Sequence, residues 1–303
     1  MSIFSTLKFI IEHPLNKNRK AQALLGFVKW QIGSRLVPGE VVYKWVNDSQ
    51  FIVSPGEAGL TQNIYCGLHE FQDMAYLLHV LNEDDLFVDV GANVGSYTIL
   101  ACAVRGAKGY CFEPVPSTYQ RLVKNIKLNE ITDRVKSYNI GLADKEDEIL
   151  FTSELNTVNH VIANGESAKS TIRVKVFPLD KLLETEFPSL IKIDVEGLET
   201  LVLNGMSLVL ENPSLHSVIM ELNGSGVRYG FNDDAIIDKM LRFGFRMYAY
   251  EPFSRTLKSI SEKNPESGNV LFLRNLDHIN KRLATSPHFS FYSRRFENTF
   301  KTV

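Results

Sequence analysis

The chain has 303 residues, of which 44% are hydrophobic and 22% are charged, a composition typical of a globular protein with a substantial core. Its net charge of −2 gives no general attraction to nucleic acid, so we expect no nucleic-acid partner. Three cysteines without C-x-x-C spacing indicate neither a disulfide framework nor a zinc cluster, and no stretch approaches the about 18 apolar residues of a membrane span. We therefore expect a cytoplasmic protein without integral membrane association.

The first predicted element is a helix at residues 19–36, whose apolar residues recur with helical spacing. We expect its apolar face to pack on the main domain, and a helix lying on a membrane surface is the alternative. The segments VVYKWV and QFIVS predict strands, and residues 71–81 predict a helix. Residues 1–60 are therefore interpreted as an N-terminal appendage of helix and strand. The predicted packing face consists of Ala21, Leu24, Leu25, Val28 and Ile32.

From residue 86 onward, buried-looking strands alternate with helices, which predicts a doubly wound α/β sheet. The strands are LFVDV, GYCF, LIKIDV and SVIMEL. Two later segments, FRMYAY and NVLFLR, are joined by a polar link too short for a helix, so we expect them to pair antiparallel. The sheet domain is predicted at residues 61–275, and residues 276–303 are predicted to be a tail that packs on it.

Each of the four buried-looking strands ends in or just before an acidic residue. An open sheet of this kind binds its ligand beyond the carboxyl ends of its strands. A single acid there could cap the following helix, but four at one edge favour a ligand that carries positive charge. The four acids are Asp89, Glu113, Asp194 and Glu221.

The first strand runs into a glycine turn, VGANVG, which differs from both common phosphate-binding loops. Asn93 stands where the dinucleotide pattern G-x-G-x-x-G has its second glycine, and Asp89 just before the turn would repel a phosphate. No G-K-[ST] follows, so a P-loop is excluded as well. A ligand with a nucleoside, no phosphate and a cationic amino-acid end suits this turn better. S-adenosylmethionine has that chemistry, with Glu113 placed to bind the ribose hydroxyls.

The same residues resemble a known family. The segments VDVGANVGSYT, CFEPVPSTYQRLVKNIKLN, IGLAD and IKIDVEGLE are similar to those of the FkbM-type S-adenosylmethionine-dependent methyltransferases, and the resemblance covers about residues 67–274. It implies the class I methyltransferase fold, a Rossmann-like, mostly parallel sheet of seven strands with an antiparallel last strand. It also implies an activity that is mostly O-methylation of sugars or natural products.

The resemblance places the glycine turn at the methionine part of the cofactor and adds an upstream glutamate, Glu70. The residues after the third strand are expected at the adenine. We further expect a side chain at Gly91 to occupy cofactor space while leaving the fold largely intact. The predicted cofactor-binding residues are Glu70, Asp89, Gly91, Asn93, Gly95, Glu113, Gly141 and Leu142.

Methyl transfer to a hydroxyl needs a base within hydrogen-bond reach. Asp194, at the mouth of the fourth strand, is predicted to be that base or to orient the substrate, and Glu196 could assist it. The D-x-E pair could alternatively bind a divalent cation, but two carboxylates make an incomplete set of ligands, so we predict no metal.

Two further residues are candidate substrate contacts, Glu221 and His160. His160 lies in a polar excursion between the strands DEILF and TIRVKV, which predicts a hairpin-like insertion near the cleft. We predict an S-adenosylmethionine-dependent methyltransferase whose acceptor is a hydroxyl of a sugar, polysaccharide or natural product. A nicotinamide-dependent oxidoreductase and a non-catalytic cofactor-binding protein are the alternatives. The sequence does not predict the oligomeric state.

Overall fold

The computed structural model describes residues 3–36, 39–54, 58–152, 161–162, 170–183, 185–263, 268–293 and 296–298. His160 lies outside these residues. Among the described helices, none is both long and apolar enough to cross a bilayer.

The N-terminal region is helical at both ends with a hairpin between them. Its helices are α1 (Ile3–Glu12), α2 (Lys20–Leu36) and α3 (Ala58–Cys66), and its strands β1 (Val41–Lys44) and β2 (Gln50–Val53) pair antiparallel. The predicted boundary at residue 60 falls inside α3, and the division into an appendage and a sheet domain stays a prediction.

Of the predicted packing face of α2, Leu24 does pack against the neighbouring helices, and the prediction is wrong for the other four residues. Ala21, Leu25, Val28 and Ile32 are exposed, whereas the side of the helix that packs carries Ala23, Phe27 and Trp30. The error has a physical reason: α2 is apolar on two opposite sides, so periodicity alone cannot say which side is buried.

A central sheet of eight strands carries the rest of the fold, in the order β12-β11-β13-β10-β9-β3-β4-β5. Strands β10, β9, β3, β4 and β5 run parallel, and β13 pairs antiparallel with both β10 and β11, which confirms the predicted antiparallel strand. The sheet has one strand more than predicted because β12 adds to its edge. The strands are β3 (Leu86–Val90), β4 (Lys108–Phe112), β5 (Val135–Tyr138), β9 (Leu190–Ile193), β10 (Ser217–Glu221), β11 (Arg246–Glu251), β12 (Thr256–Ser259) and β13 (Asn269–Leu273).

Helices cover both faces of this sheet, as the alternation of strands and helices predicts, so the fold is a Rossmann-like α/β fold. One face packs on α4 (Phe71–Val80), α5 (Ser96–Thr98) with its continuation Ile99–Val104, α6 (Pro116–Leu128) and α10 (Leu276–Thr285). The other face packs on α7 (Glu199–Asn204), α8 (Ser207–Glu211) and α9 (Asp233–Arg242). In the C-terminal tail, Ile279 and Leu283 of α10 are buried.

The two strands that flank the predicted insertion pair as in a hairpin, whereas most of the insertion itself lies outside the described residues. Strands β7 (Asp147–Thr152) and β8 (Thr171–Phe177) pair antiparallel, and the short strand β6 (Gly141–Leu142) adds to β8 in parallel. A last two-stranded sheet joins β14 (Phe291–Ser293) to β15 (Phe296–Asn298).

Two asparagines, Asn125 in α6 and Asn129 directly after its end, connect the N-terminal hairpin to the sheet domain. The Oδ1 of Asn125 accepts from the Ile52 amide at 2.8 Å and its Nδ2 donates to the Val94 carbonyl at 2.7 Å. One turn later, the Oδ1 of Asn129 accepts from the Gln50 amide at 2.8 Å. These side chains supply hydrogen bonds to the free edge of β2, as a neighbouring strand would. Asn125 therefore links the hairpin, α6 and the glycine turn.

We expect Asn125→Ala to lower the free energy of unfolding by about 2–4 kcal/mol, because it leaves a partly buried amide and a buried carbonyl without partners. Urea unfolding measures the change. Gln120→Ala, at an exposed position on the same helix, is the matched control and should change stability by less than about 0.5 kcal/mol. Equal effects of the two substitutions would contradict this role of Asn125.

Candidate active site

The glycine turn after β3 is held by the ends of two neighbouring strands. The amides of Gly91 and Ala92 both donate to the Phe112 carbonyl, at 3.0 and 2.9 Å. Gly91 has a φ of +76°, and a Cβ atom there would lie 1.8 Å from the Asp194 carbonyl oxygen. The expectation that a side chain at Gly91 would spare the fold is therefore wrong, because the backbone of the loop after β9 occupies that space.

Glu113 closes the turn from the end of β4. One of its carboxylate oxygens accepts from the Asn93 amide at 3.0 Å, and the other accepts from the Val115 amide at 2.8 Å. Asn93 has a φ of +51°, so the carboxylate stabilises an unfavourable backbone conformation. Burial raises the pKa of Glu113 to about 7, although the two amides act in the opposite direction. Glu113 thus shapes the turn as well as facing the cleft.

A first cavity of about 110 Å³ opens at the carboxyl ends of β3 and β4. It has apolar walls and a few polar groups, the usual character of a small-molecule site. Its lining includes the predicted cofactor residues Gly91, Asn93, Glu113, Gly141 and Leu142, together with Asp194 and Glu196.

A second cavity of about 180 Å³ lies beside the first one. Its lining is more charged and includes Glu70, Asp89 and Lys192. The two cavities share Gly91, Asn93 and Asp194, so these residues form the boundary between them. The buried Oδ1 of Asn93, at this boundary, has no hydrogen-bond partner among the described residues.

Lys192 is a buried cation of this cleft that the sequence analysis missed. It lies in the middle of β9, is only 1% exposed, and its Nζ is 3.2 Å from the Oδ2 of Asp194. Burial would lower the pKa of Lys192, but the carboxylates of Asp194, Glu70 and Glu221 raise it above its usual value. The lysine therefore stays charged inside the protein.

The strand register explains how Lys192 meets its partners. Side chains two residues apart share a face of a strand, so Lys192 and Asp194 lie on the same face of β9. The pairing of β3 with β9 places Asp89 opposite Lys192. A lysine within the apolar strand LIKIDV, two residues before the acid, was the signal that could have revealed this pair.

The other two carboxylates of the second cavity, Glu70 and Asp89, have different hydrogen-bond partners. Glu70 precedes α4, accepts from the Asn269 Nδ2 at 2.9 Å, and lies 3.6 Å from the His69 ring. Burial would raise the pKa of Glu70, but His69 and Lys192 lower it below its usual value. Asp89 accepts from the Thr98 hydroxyl at 2.6 Å, and burial raises its pKa to about 6.

Asp194, Glu196 and Glu221 come together at the ends of β9 and β10, with carboxylate oxygens within 4.8 Å of one another. Burial, together with the neighbouring Asp194, raises the pKa of Glu221 to about 8. Glu196 has a φ of +52°, an unfavourable conformation of the kind that clusters at functional sites. Three carboxylates could contact one divalent cation, but Lys192 already neutralises Asp194. The absence of a metal stays a prediction.

The remaining predicted residue, Gly95, lies behind the cleft. It has a φ of +93° and lines neither of the two cavities, and a Cβ atom there would lie 2.6 Å from the Leu122 side chain of α6. Its contact with the cofactor stays a prediction, as does the substrate role of His160. Tyr97 and Asn269 are polar residues of the cleft that the sequence analysis missed; the Lys192 Nζ lies 5.4 Å from the centre of the Tyr97 ring.

An open, mostly parallel sheet with a glycine turn and an acidic cleft at its carboxyl edge defines a class I methyltransferase fold. Residues 89–247 match the model of the methyltransferase FkbM domain. The chain belongs to the FkbM methyltransferase family, which confirms the sequence prediction. This assignment favours methyl transfer over the nicotinamide-dependent alternative.

Two curated relatives share part of this region. The hexuronic acid methyltransferase AglP of Haloferax volcanii is 32% identical over 153 residues, which cover 48% of this chain and 59% of AglP. Methyltransferase 1 of Beauveria bassiana is 26% identical over 161 residues, covering 45% of this chain and 64% of the relative. The match therefore spans less than two thirds of either relative. Among solved structures, an rRNA methylase from Streptococcus thermophilus overlaps 66% of this chain and 91% of its own with 13% identity and a TM-score of 0.39.

We expect Gly91→Ala to destabilise the protein by several kcal/mol or to prevent folding, because the new Cβ atom collides with the Asp194 carbonyl. Gly244→Ala is the matched control: Gly244 has a φ of +84° but nothing within 4 Å of a Cβ position. Gly244→Ala should lower the free energy of unfolding by only about 1–2 kcal/mol, the cost of an alanine in the left-handed conformation. Thermal and urea unfolding compare the two variants, and a Gly91→Ala protein as stable as Gly244→Ala would contradict the close approach.

Proposed function

We propose that this methyltransferase uses S-adenosylmethionine and methylates a hydroxyl of a sugar, polysaccharide or natural product. The observation that carries the proposal is the pair of adjoining cavities that meet at Gly91, Asn93 and Asp194. One cavity has the character of a nucleoside site and the other is lined by charges. A ligand with a nucleoside at one end and an amino acid at the other would span the two.

The residues present fit that ligand. In the first cavity, Glu113 would accept hydrogen bonds from the ribose hydroxyls, and Gly141 and Leu142 would contact the adenine. In the second cavity, Glu70 and Asp89 would attract the ammonium group. The unpartnered Oδ1 of Asn93, between the cavities, offers a further acceptor for a donor of the ligand.

The chemistry requires little from the protein beyond position and a proton acceptor. S-adenosylmethionine, when bound, supplies a methyl group on a sulfonium that is already a good leaving group. Asp194 borders both cavities, so an acceptor hydroxyl placed there would donate its proton to this carboxylate. The Lys192 Nζ lies 3.2 Å from the Asp194 Oδ2, so this ion pair would fix the position of the carboxylate, and Glu196 would help to orient the acceptor.

Glu221 is the second candidate for the base. With a pKa of about 8 it is mostly protonated at neutral pH, so it would donate a hydrogen bond rather than accept a proton there. It lines neither of the two cavities. We therefore assign the proton transfer to Asp194, and the substrate contact of Glu221 stays a prediction.

The acceptor class rests on the family and on one relative. AglP is a hexuronic acid methyltransferase, which supports a sugar or glycan acceptor for the present chain. A protein that binds the cofactor without catalysis is the alternative, and turnover separates the two.

Calorimetry with S-adenosylhomocysteine and turnover with a panel of uronic acid and neutral glycosides test the proposal. We expect Asp194→Asn to keep its affinity for S-adenosylhomocysteine and to lose on the order of a hundredfold or more in turnover, because the base is removed. Glu113→Gln should show the opposite pattern, with affinity weakened about tenfold, because a charged acceptor of two hydrogen bonds is lost.

Asp238→Asn, an exposed substitution of the same kind on α9, is the control and should change neither quantity. If Asp194→Asn binds far more weakly but turns over normally at saturation, Asp194 is a cofactor ligand. If the unaltered protein does not bind S-adenosylhomocysteine, the proposed cofactor is wrong.

A further inference from the structure

Helix α2 presents an apolar stripe to solvent. Leu25, Val28, Ile32 and Leu36 are 53%, 47%, 56% and 75% exposed. Their spacing of three and four residues puts them on one side of the helix. The opposite side, with Ala23, Phe27 and Trp30, packs against α1 and α3. The exposed stripe and the packing face therefore lie on different sides of α2.

The charges around this stripe are mostly of one sign. Residues 3–36 contain six lysines and arginines and a single acid, Glu12, in a chain whose net charge is −2. The remainder of the chain is consequently acidic. On α2 itself, Lys20, Lys29 and Arg35 are exposed. By helical spacing, Lys29 and Arg35 flank the stripe on its two sides.

We propose that α2 docks the protein on an anionic membrane surface, lying in the plane of the interface with this stripe inserted and its basic residues at the lipid headgroups. An apolar face bordered by lysine and arginine is the pattern of a surface-bound helix. Headgroup phosphates would supply negative charge to Lys20, Lys29 and Arg35, which form no ion pair among the described residues. This surface is separate from the cleft, so the inference stands independently of the proposed methyl transfer.

A second copy of the chain fits the same face less well. A symmetric contact places one patch against itself, which would bring Lys29 and Arg35 of one protomer towards the same residues of its partner. Like charges at an interface disfavour association. An anionic membrane offers an apolar interior to the stripe and negative headgroups to Lys29 and Arg35. A membrane therefore fits this face better than a second copy of the chain.

Helix α1 also carries exposed apolar and basic residues. It packs against α2 and exposes Ile3 and Phe4, at 68% and 85%. Lys8 on the same helix is also exposed. These residues extend the apolar and basic character of the region beyond α2.

Sedimentation with lipid vesicles tests the proposal. We expect the full chain to bind vesicles of phosphatidylcholine containing about one-third phosphatidylglycerol, to bind vesicles of pure phosphatidylcholine much more weakly, and to be released by high salt. The triple variant Leu25→Gln/Val28→Gln/Ile32→Gln should lower the partition coefficient at least about tenfold, because the inserted stripe is lost. Lys20→Gln/Lys29→Gln/Arg35→Gln should lower it about fivefold per residue and remove the preference for anionic lipid.

The matched control is Leu208→Gln/Phe187→Gln, which removes two exposed apolar side chains elsewhere on the surface and should leave binding unchanged. Unchanged thermal unfolding shows that each variant is folded. The proposal is overturned if the full chain does not bind anionic vesicles, if neutral vesicles bind equally well, or if the control variant loses as much binding as the stripe variant. A dimer in solution that the stripe variant dissociates, without vesicle binding, would assign the face to a second copy instead.

Discussion

The cleft depends on the attraction between the positive charge of Lys192 and the carboxylates around it. Asp194, Glu70 and Glu221 all raise the pKa of this buried lysine, and Asp89 lies opposite it in the strand pairing. Carboxylates gathered at one sheet edge would repel one another without a cation between them. An ion pair of this kind is not a simple gain in stability, because both charges lose their hydration. The consequence of the Lys192–Asp194 pair is positional, because it holds Asp194 at the boundary between the two cavities.

The backbone contributes a second constraint at the same place. Gly91 approaches the Asp194 carbonyl so closely that no side chain fits, and Glu113 holds the next part of the turn through the Asn93 amide. The ends of β3, β4 and β9 are thereby joined at one point. A rigid junction of strand ends beneath a ligand site keeps functional groups in position without a mobile loop.

The sequence predicted the architecture well because its signals were local. The strand alternation predicted the sheet, and the short polar link between FRMYAY and NVLFLR predicted the antiparallel strand. The family resemblance rested on continuous motifs and was confirmed by the match over residues 89–247. The carboxyl-edge rule for open sheets also predicted that Asp194 and Glu221 would lie near each other.

The missed features depend on contacts between distant parts of the chain. Lys192 meets Asn269 of β13, and only the sheet order shows that these residues are neighbours. We expected Gly91 to leave room for a ligand. The space beside it is instead occupied by the backbone of Asp194, which lies more than a hundred residues later in the sequence. The orientation of α2 was wrong for a related reason: two apolar sides satisfy the same periodicity, and the choice is made by α1 and α3.

The most direct test of the central role of Lys192 is the stability of Lys192→Met as a function of pH. Without the cation, nearby carboxylates should bind protons more tightly in the folded state than in the unfolded state, so stability should fall as the pH rises from about 4 towards the Glu221 pKa of about 8. Relative to the unaltered protein, we expect Lys192→Met to lose about 3–5 kcal/mol in the free energy of unfolding at pH 8 and clearly less at pH 5. A variant as stable as the unaltered protein at both pH values would show that the lysine is not what holds the acidic cleft together.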